Sequence, residues 1–402
     1  MTLVEFVPPT PHPLWELCPQ MGITDVIVKV NPELTGLADP WRYETLSSIV
    51  SRLKTAGLNV VGLEGDPFDM SPIKEYGARV GDKSSSWRKE DSTLQLQLAT
   101  PTKNNPVKEN PATLREEALS HYRELLESMG KLGIKLLCYN FMVGKGWSRT
   151  GVREGRGGAK ATYFSLRVGE KSSSWRKDEQ IPLSNTNSKL QLNADQVWAN
   201  YEYFIKAVMP TAEKWGVRMA LHPDDPCLPS LGGYARIFGS IEAYDRAYAI
   251  YPSPSNAVTF CQANFKLMLG ENSSSSRKES SKIPFSNTNS KLQLNTLDAV
   301  ARHFGKRIAF IHVRDVEGTK EDFTELFHDQ GDTDQFALMR TYRELGLDVP
   351  VRGDHVPEMA YDRVLTPEGT PGYFTLGRLF ANGYLKALLQ GTGNVLSAKK
   401  LE

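Results

Sequence analysis

Cysteine is scarce in this chain, and neither sign of charge is in excess. Four cysteines, Cys18, Cys138, Cys227 and Cys261, are spread over 402 residues. They are too few and too scattered for a disulfide framework, which points to a reducing compartment, the cytoplasm. Lys and Arg total 48 against 47 Asp and Glu, a formal net charge of +1. That balance gives no electrostatic reason to expect nucleic acid or an anionic membrane as a partner. No run of about eighteen apolar residues occurs, so no membrane span is expected. The first residues, Met1 to Pro9, carry no basic stretch followed by an apolar one, and no secretion signal is expected. No Gly-rich phosphate-binding turn follows the first strand-like run, which argues against an open nucleotide-binding sheet.

What the chain does have is alternation. Strand-like apolar runs fall at residues 3–7, 23–30, 58–64, 134–141, 217–222, 257–261, 308–313 and 349–354. Amphipathic stretches lie between them. Residues 41–56 place Leu46, Ile49, Val50 and Leu53 on one face and stop at Gly57, and residues 114–130 and 197–215 read the same way. Eight strand–helix alternations predict an α/β fold, a closed (β/α)8 TIM barrel forming one domain over 1–402.

Four of these runs end in residues that bind metals. His222 closes Val217-Arg218-Met219-Ala220-Leu221 and is followed by Pro223-Asp224-Asp225-Pro226. Cys261 follows Phe260, His312 follows Ile311, and Asp354 follows Gly353. One such histidine alone would more simply hydrogen-bond its own loop. Two His, one Cys and one Asp on successive strand ends suit a transition metal at the mouth of the barrel. Cys18, Cys138 and Cys227 are expected as small core or loop residues. Glu64 and Asp66, beyond the third run, read as a solvated loop, with a polar rim to the site as the alternative.

Three polar stretches interrupt the alternation and resemble one another. Gly81-Asp82-Lys83-Ser84-Ser85-Ser86-Trp87-Arg88-Lys89 returns at 169–177 with Glu170 in place of Asp82 and, further altered, at 270–278. Residues 185–193 and 287–295 are identical. Segments 80–110, 167–193 and 270–295 are therefore read as insertions that carry too little apolar surface to repay ordering. The repeat lies in the insert and not in the domain, as translated copies of an intron-like element would leave it. Removing 270–295 brings the Cys261–His312 gap to the length of one strand–helix unit. Long excursions add little closure cost, so the barrel is expected to form around them.

With the insertions set aside, Leu137-Cys138-Tyr139-Asn140-Phe141-Met142, Gly146-Trp147-Ser148-Arg149-Thr150 and Ala220-Leu221-His222-Pro223-Asp224-Asp225-Pro226 resemble the mannonate dehydratases. Phe260-Cys261, Ile311-His312-Val313-Arg314, Phe327-His328 and Arg352-Gly353-Asp354-His355 follow in family order. The chain departs from the family pattern at Val356, where a glycine is expected. The resemblance implies a xylose-isomerase-like TIM barrel and a hydro-lyase of glucuronate catabolism that turns D-mannonate into 2-dehydro-3-deoxy-D-gluconate. It implies Fe2+ or Mn2+ held by His222, Cys261, His312 and Asp354, with His355 and Tyr373 as an acid–base pair. Asn140, Arg149, Arg314 and His328 become candidate binders of substrate carboxylate or hydroxyls, each with a structural polar role as the alternative. A homo-oligomer is possible. Adjacent Asp354 and His355 would face opposite ways on a strand, so a bulge or turn is expected there. The competing functions are a metal-dependent sugar isomerase or epimerase on the same barrel, and an inactive product disabled by its insertions.

Overall fold

The computed structural model describes residues 1–36, 38–78, 110–144, 146–167, 191–270 and 296–397. The insertions expected at 80–110, 167–193 and 270–295 lie outside the described residues apart from their outermost positions. At two of those edges the structure differs from the expectation. Asn110 caps the helix Pro111–Lys131 by accepting from the Ala112 amide. Gln191, Leu192 and Asn193 belong to the folded protein: Leu192 is fully buried, and Asn193 and Gln196 form a reciprocal capping box on Ala194–Trp215.

The main sheet is wholly parallel among its paired strands. In order around the sheet it runs Thr2–Leu3, Pro350–Gly353, Ile308–Val313, Asn256–Cys261, Arg218–Leu221, Leu136–Tyr139, Asn59–Glu64, Asp25–Val28 and Glu5–Val7. Its first and last members are consecutive in the chain, separated only by Val4. Thr2 and Leu3 pair with Pro350 and Val351, while Glu5, Phe6 and Val7 pair with Val26, Ile27 and Val28. One N-terminal strand thus joins both edges, and the sheet closes as an eight-stranded barrel. The strands at Ile308–Val313 and Asn256–Cys261 are buried throughout, as expected where helices cover one face and the barrel interior fills the other.

Inward positions follow the two-residue period of each strand. Val4, Ile27, Leu136, Cys138, Ala220, Ala257 and Phe310 form an apolar cluster of their own, distinct from the larger core between strands and helices. Two residues further along their strands come His222, Asn140 and His312. The apolar plug of the barrel therefore gives way to a polar mouth at the strand C-termini. No helix among the described residues is long and apolar enough to cross a membrane.

A second sheet covers that mouth. The antiparallel strands Val316–Thr319, Asp322–Glu325, Lys160–Ser165 and Gly151–Glu154 pair in that order. They come from excursions after the barrel strands Leu136–Tyr139 and Ile308–Val313. The alternation of barrel strands foretold none of them. They deliver Glu325 to the site.

Candidate metal centre and active site

Register brings the strand-end residues to one level. Cys261 is paired directly with His312, and His312 with Arg352. The Asp354 amide donates to the Val313 carbonyl at 2.9 Å and the His222 amide to Tyr139 at 2.7 Å, which carries the sheet's spacing one residue past the formal strand ends. As a result His222, Cys261, His312 and Asp354 each present one ligand-type atom, all within 4.8 Å of one another.

The spare atoms of these side chains fit an ion. His312 is fully buried, yet neither ring nitrogen has a hydrogen-bond partner. A buried imidazole without partners is costly unless something else satisfies it. His222 uses Nδ1 against the Pro223 carbonyl at 2.8 Å, leaving Nε2. Asp354 Oδ1 accepts from Arg352 at 3.0 Å and from the Tyr373 hydroxyl at 3.2 Å, leaving Oδ2, which lies 3.8 Å from His312 Nδ1. Burial alone would raise the Asp354 carboxyl, but the facing charges of His355 and Arg352 hold it well below the usual carboxylate range. Two imidazoles, a thiol and a carboxylate make a mixed set suited to a borderline-soft divalent ion.

His355 and Tyr373 adjoin this group. His355 has φ 41°, in the left-handed region, so the chain turns immediately after the strand and the expected change of direction at 354–355 is present. The two rings meet nearly edge to face, centroids 5.1 Å apart, and Trp147 packs on both. Burial and the neighbouring Asp354 carboxylate push the Tyr373 phenol well above its ordinary pKa.

The candidate substrate binders are otherwise engaged. Arg149 and Arg314 are fully buried. Arg149 forks onto Asp225 at 2.8 and 2.9 Å and reaches Glu325 at 2.7 Å; Arg314 reaches Asp225 at 2.9 Å and Glu325 at 2.6 and 2.8 Å. Two guanidinium groups thus face two carboxylates beneath His355, whose Nδ1 lies 3.1 Å from Glu325 and 2.9 Å from Arg149. The donors of both arginines are taken up by these carboxylates, which is the structural role left open in the sequence beside contact with substrate carboxylate or hydroxyls. Burial opposes ionisation of Glu325, but Arg314 and Arg149 outweigh it and hold its pKa at about 2. His328 is also buried, with Nε2 2.8 Å from the Val313 carbonyl; glycine at 353 permits this, since a Cβ there would sit 3.2 Å from that nitrogen. Asn140 stands at the mouth, accepting from Lys74 and from the Met142 amide, both at 3.1 Å.

Glu64 differs from the solvated loop residue expected: it ends the strand Asn59–Glu64, and Arg352 forks onto it at 2.5 and 3.0 Å. Burial would raise its carboxyl, but Arg352 and His312 lower it to about 2. Asp66 is a rim residue, 2.7 Å from buried Lys74. Asp225 and Arg352 fall in the family-like motifs with no role read from them and Glu325 falls in none, although an arginine inside the apolar run Val349 to Gly353 is a signal of a buried partner.

The balanced cluster carries a prediction. Removing one member of a buried ion pair leaves the other charge uncompensated, at about 3–5 kcal/mol. Asp225→Ala should lower unfolding stability by that amount in urea titrations of the metal-free protein. A loss under about 1 kcal/mol would place the cluster in a much wetter setting than its burial indicates.

Fold and cluster define the class: a TIM-barrel enzyme with a candidate metal centre at the strand C-termini. The family profile of D-mannonate dehydratase (UxuA) matches residues 83–293 and 276–399. The chain belongs to the D-mannonate dehydratase family. It is 26% identical over 391 residues to a mannonate dehydratase of Brachyspira hyodysenteriae, covering 91% of each chain. It is 28% identical over 295 residues to one from Streptococcus equi subsp. zooepidemicus, covering 69% of this chain and 74% of that one. The crystal structure of mannonate dehydratase from Streptococcus suis serotype 2 shares the fold, with TM-score 0.70 and 22% identity over 98% of this chain and 95% of that one.

Proposed function

We propose that this chain dehydrates D-mannonate to 2-dehydro-3-deoxy-D-gluconate, with His222, Cys261, His312 and Asp354 holding a single Fe2+ or Mn2+ ion. The observation that carries the reading is the convergence of those four donors beside His355 and Tyr373 in a chain of this family. A thiolate among the donors favours Fe2+ over Mg2+ by softness; Mn2+ enters from the family resemblance and not from the donor set. Four buried, unpaired cysteines fit a cytoplasmic enzyme.

The C2 proton of a sugar acid is weakly acidic and hydroxide leaves poorly. The reaction therefore needs a base for that proton, an acid for the C3 oxygen, and stabilisation of the charge between the two events. When bound, the ion supplies polarisation of a substrate oxygen. His355 and Tyr373 supply the proton exchange, one at C2 and the other at the departing oxygen. Trp147 walls both rings, and Glu325 and Arg149 hold His355 from behind. Arg149 and Arg314 act by fixing this support; Asn140 and His328 complete the polar surround.

The test is product chemistry. Protein purified without air and loaded with Fe2+ or Mn2+ should convert D-mannonate to a 2-keto-3-deoxy acid and leave D-fructuronate unchanged. Interconversion of ketose and aldose acids without loss of water would replace the dehydratase by an isomerase.

A further inference from the structure

We propose that Glu64 is the positioning carboxylate of the metal centre, holding the His312 ring so that Nδ1 and not Nε2 is turned toward the ion. The proposal rests on the assignment of His222, Cys261, His312 and Asp354 to a metal. His312 Nδ1 lies 3.8 Å from Asp354 Oδ2, within the four-donor group, while Nε2 lies on the other side, 3.6 Å from Glu64 Oε2. The ring is edge-on to Phe310 at 4.6 Å and tilted against His222 at 5.1 Å, and neither nitrogen has a hydrogen-bond partner elsewhere. Ligating histidines commonly give their second N–H to a carboxylate, which fixes the tautomer and the ring plane. The 3.6 Å approach exceeds hydrogen-bond length by about half an ångström, which a small tilt of the ring on ligation closes.

Glu64 is itself held rigid. Arg352 bonds both of its oxygens, at 2.5 and 3.0 Å, and the same guanidinium donates to Asp354 Oδ1 at 3.0 Å. One bidentate pair therefore steadies two proposed ligands from outside, His312 through Glu64 and Asp354 through Arg352.

A rival use of the same residue is a second ion, since Glu64, Cys138 and His312 also bring ligand-type atoms within 4.8 Å of one another. The guanidinium argues against it. A guanidinium already bonds both carboxylate oxygens, and its positive charge there repels a divalent ion while leaving each oxygen a lone pair for a neutral N–H.

Mn2+ affinity measured by chelator competition at fixed pH, together with ions bound per chain and the Mn2+ spin-resonance spectrum, tests the proposal. The parent should bind one ion. Glu64→Ala should weaken binding by about 10- to 100-fold and alter the spectrum. Glu64→Gln, which keeps an oxygen for His312 Nε2, should fall between parent and Glu64→Ala, and it decides the matter if the alanine variant does not fold. Cys138→Ser should match the parent. Parent-like affinity and spectrum in the glutamate variants overturn the proposal and leave the metal reading intact. Two ions in the parent, one of them lost in both Glu64→Gln and Cys138→Ser, overturn it in favour of the second site. A parent that binds no ion removes the metal reading and the proposal together.

Discussion

Cys261→Ser loses metal and activity together. The substitution is nearly isosteric, and Cys261 is fully buried at the end of an all-buried strand whose register with His312 is set by the backbone. The barrel should therefore survive it. What changes is the donor: a thiolate is exchanged for a neutral hydroxyl that competes poorly for a divalent ion. The loss of affinity should exceed the roughly 10- to 100-fold that altering a ligand's outer partner costs. Cys18→Ser and Cys227→Ser are the controls. Cys227 turns its thiol to the Asp224 carbonyl, and Cys18 lies in the helix Leu14–Gln20, so neither should change metal content. Metal per chain after purification without air is the measurement. Parent-like content in the Cys261 variant would remove the thiolate from the proposed ligand set.

The barrel and four of its strand-end residues were legible in the sequence for one physical reason. Parallel strands buried on both faces read as near-continuous apolar runs, and the first polar side chain after each run marks the mouth. The run at 308–313 is reproduced residue for residue, and that at 257–261 begins one residue earlier, at Asn256. Helix starts were less legible, because the caps Asn110 and Asn193 sit at the edges of polar segments whose composition resembles a loop. The ionic support was hidden more deeply. Glu325 lies in an edge-like sequence, Asp322-Phe323-Thr324-Glu325, that alternates as a half-exposed strand does, and its partner Arg149 is 176 residues away. Pairing at that range comes from how the covering sheet folds back over the mouth. No local pattern records it. The burial of Glu64 is hidden for a related reason: a carboxylate after an apolar run has no local mark of a partner, and its partner Arg352 lies 288 residues on.

His355→Asn and Tyr373→Phe should keep the ion and lose turnover, each by about 10²- to 10⁴-fold. The choice of variants follows from the geometry. His355 occupies the left-handed region at φ 41°, which asparagine tolerates better than most residues, so the turn after Asp354 should persist. An asparagine amide can still meet Glu325, which limits disturbance of the buried charges, but it cannot carry a proton at neutral pH. Tyr373→Phe removes one oxygen and keeps the ring against His355 and Trp147. Asp354 then loses the hydroxyl at 3.2 Å but retains Arg352 at 3.0 Å, so its place in the metal group should hold. Metal content and kcat measured on the same preparations separate the outcomes. Parent-like metal with depressed kcat places the residue in proton transfer. A variant purified without metal would mark the residue as a ligand or the support of one. Parent-like kcat in both would require the proton exchange to be carried by other groups at the mouth.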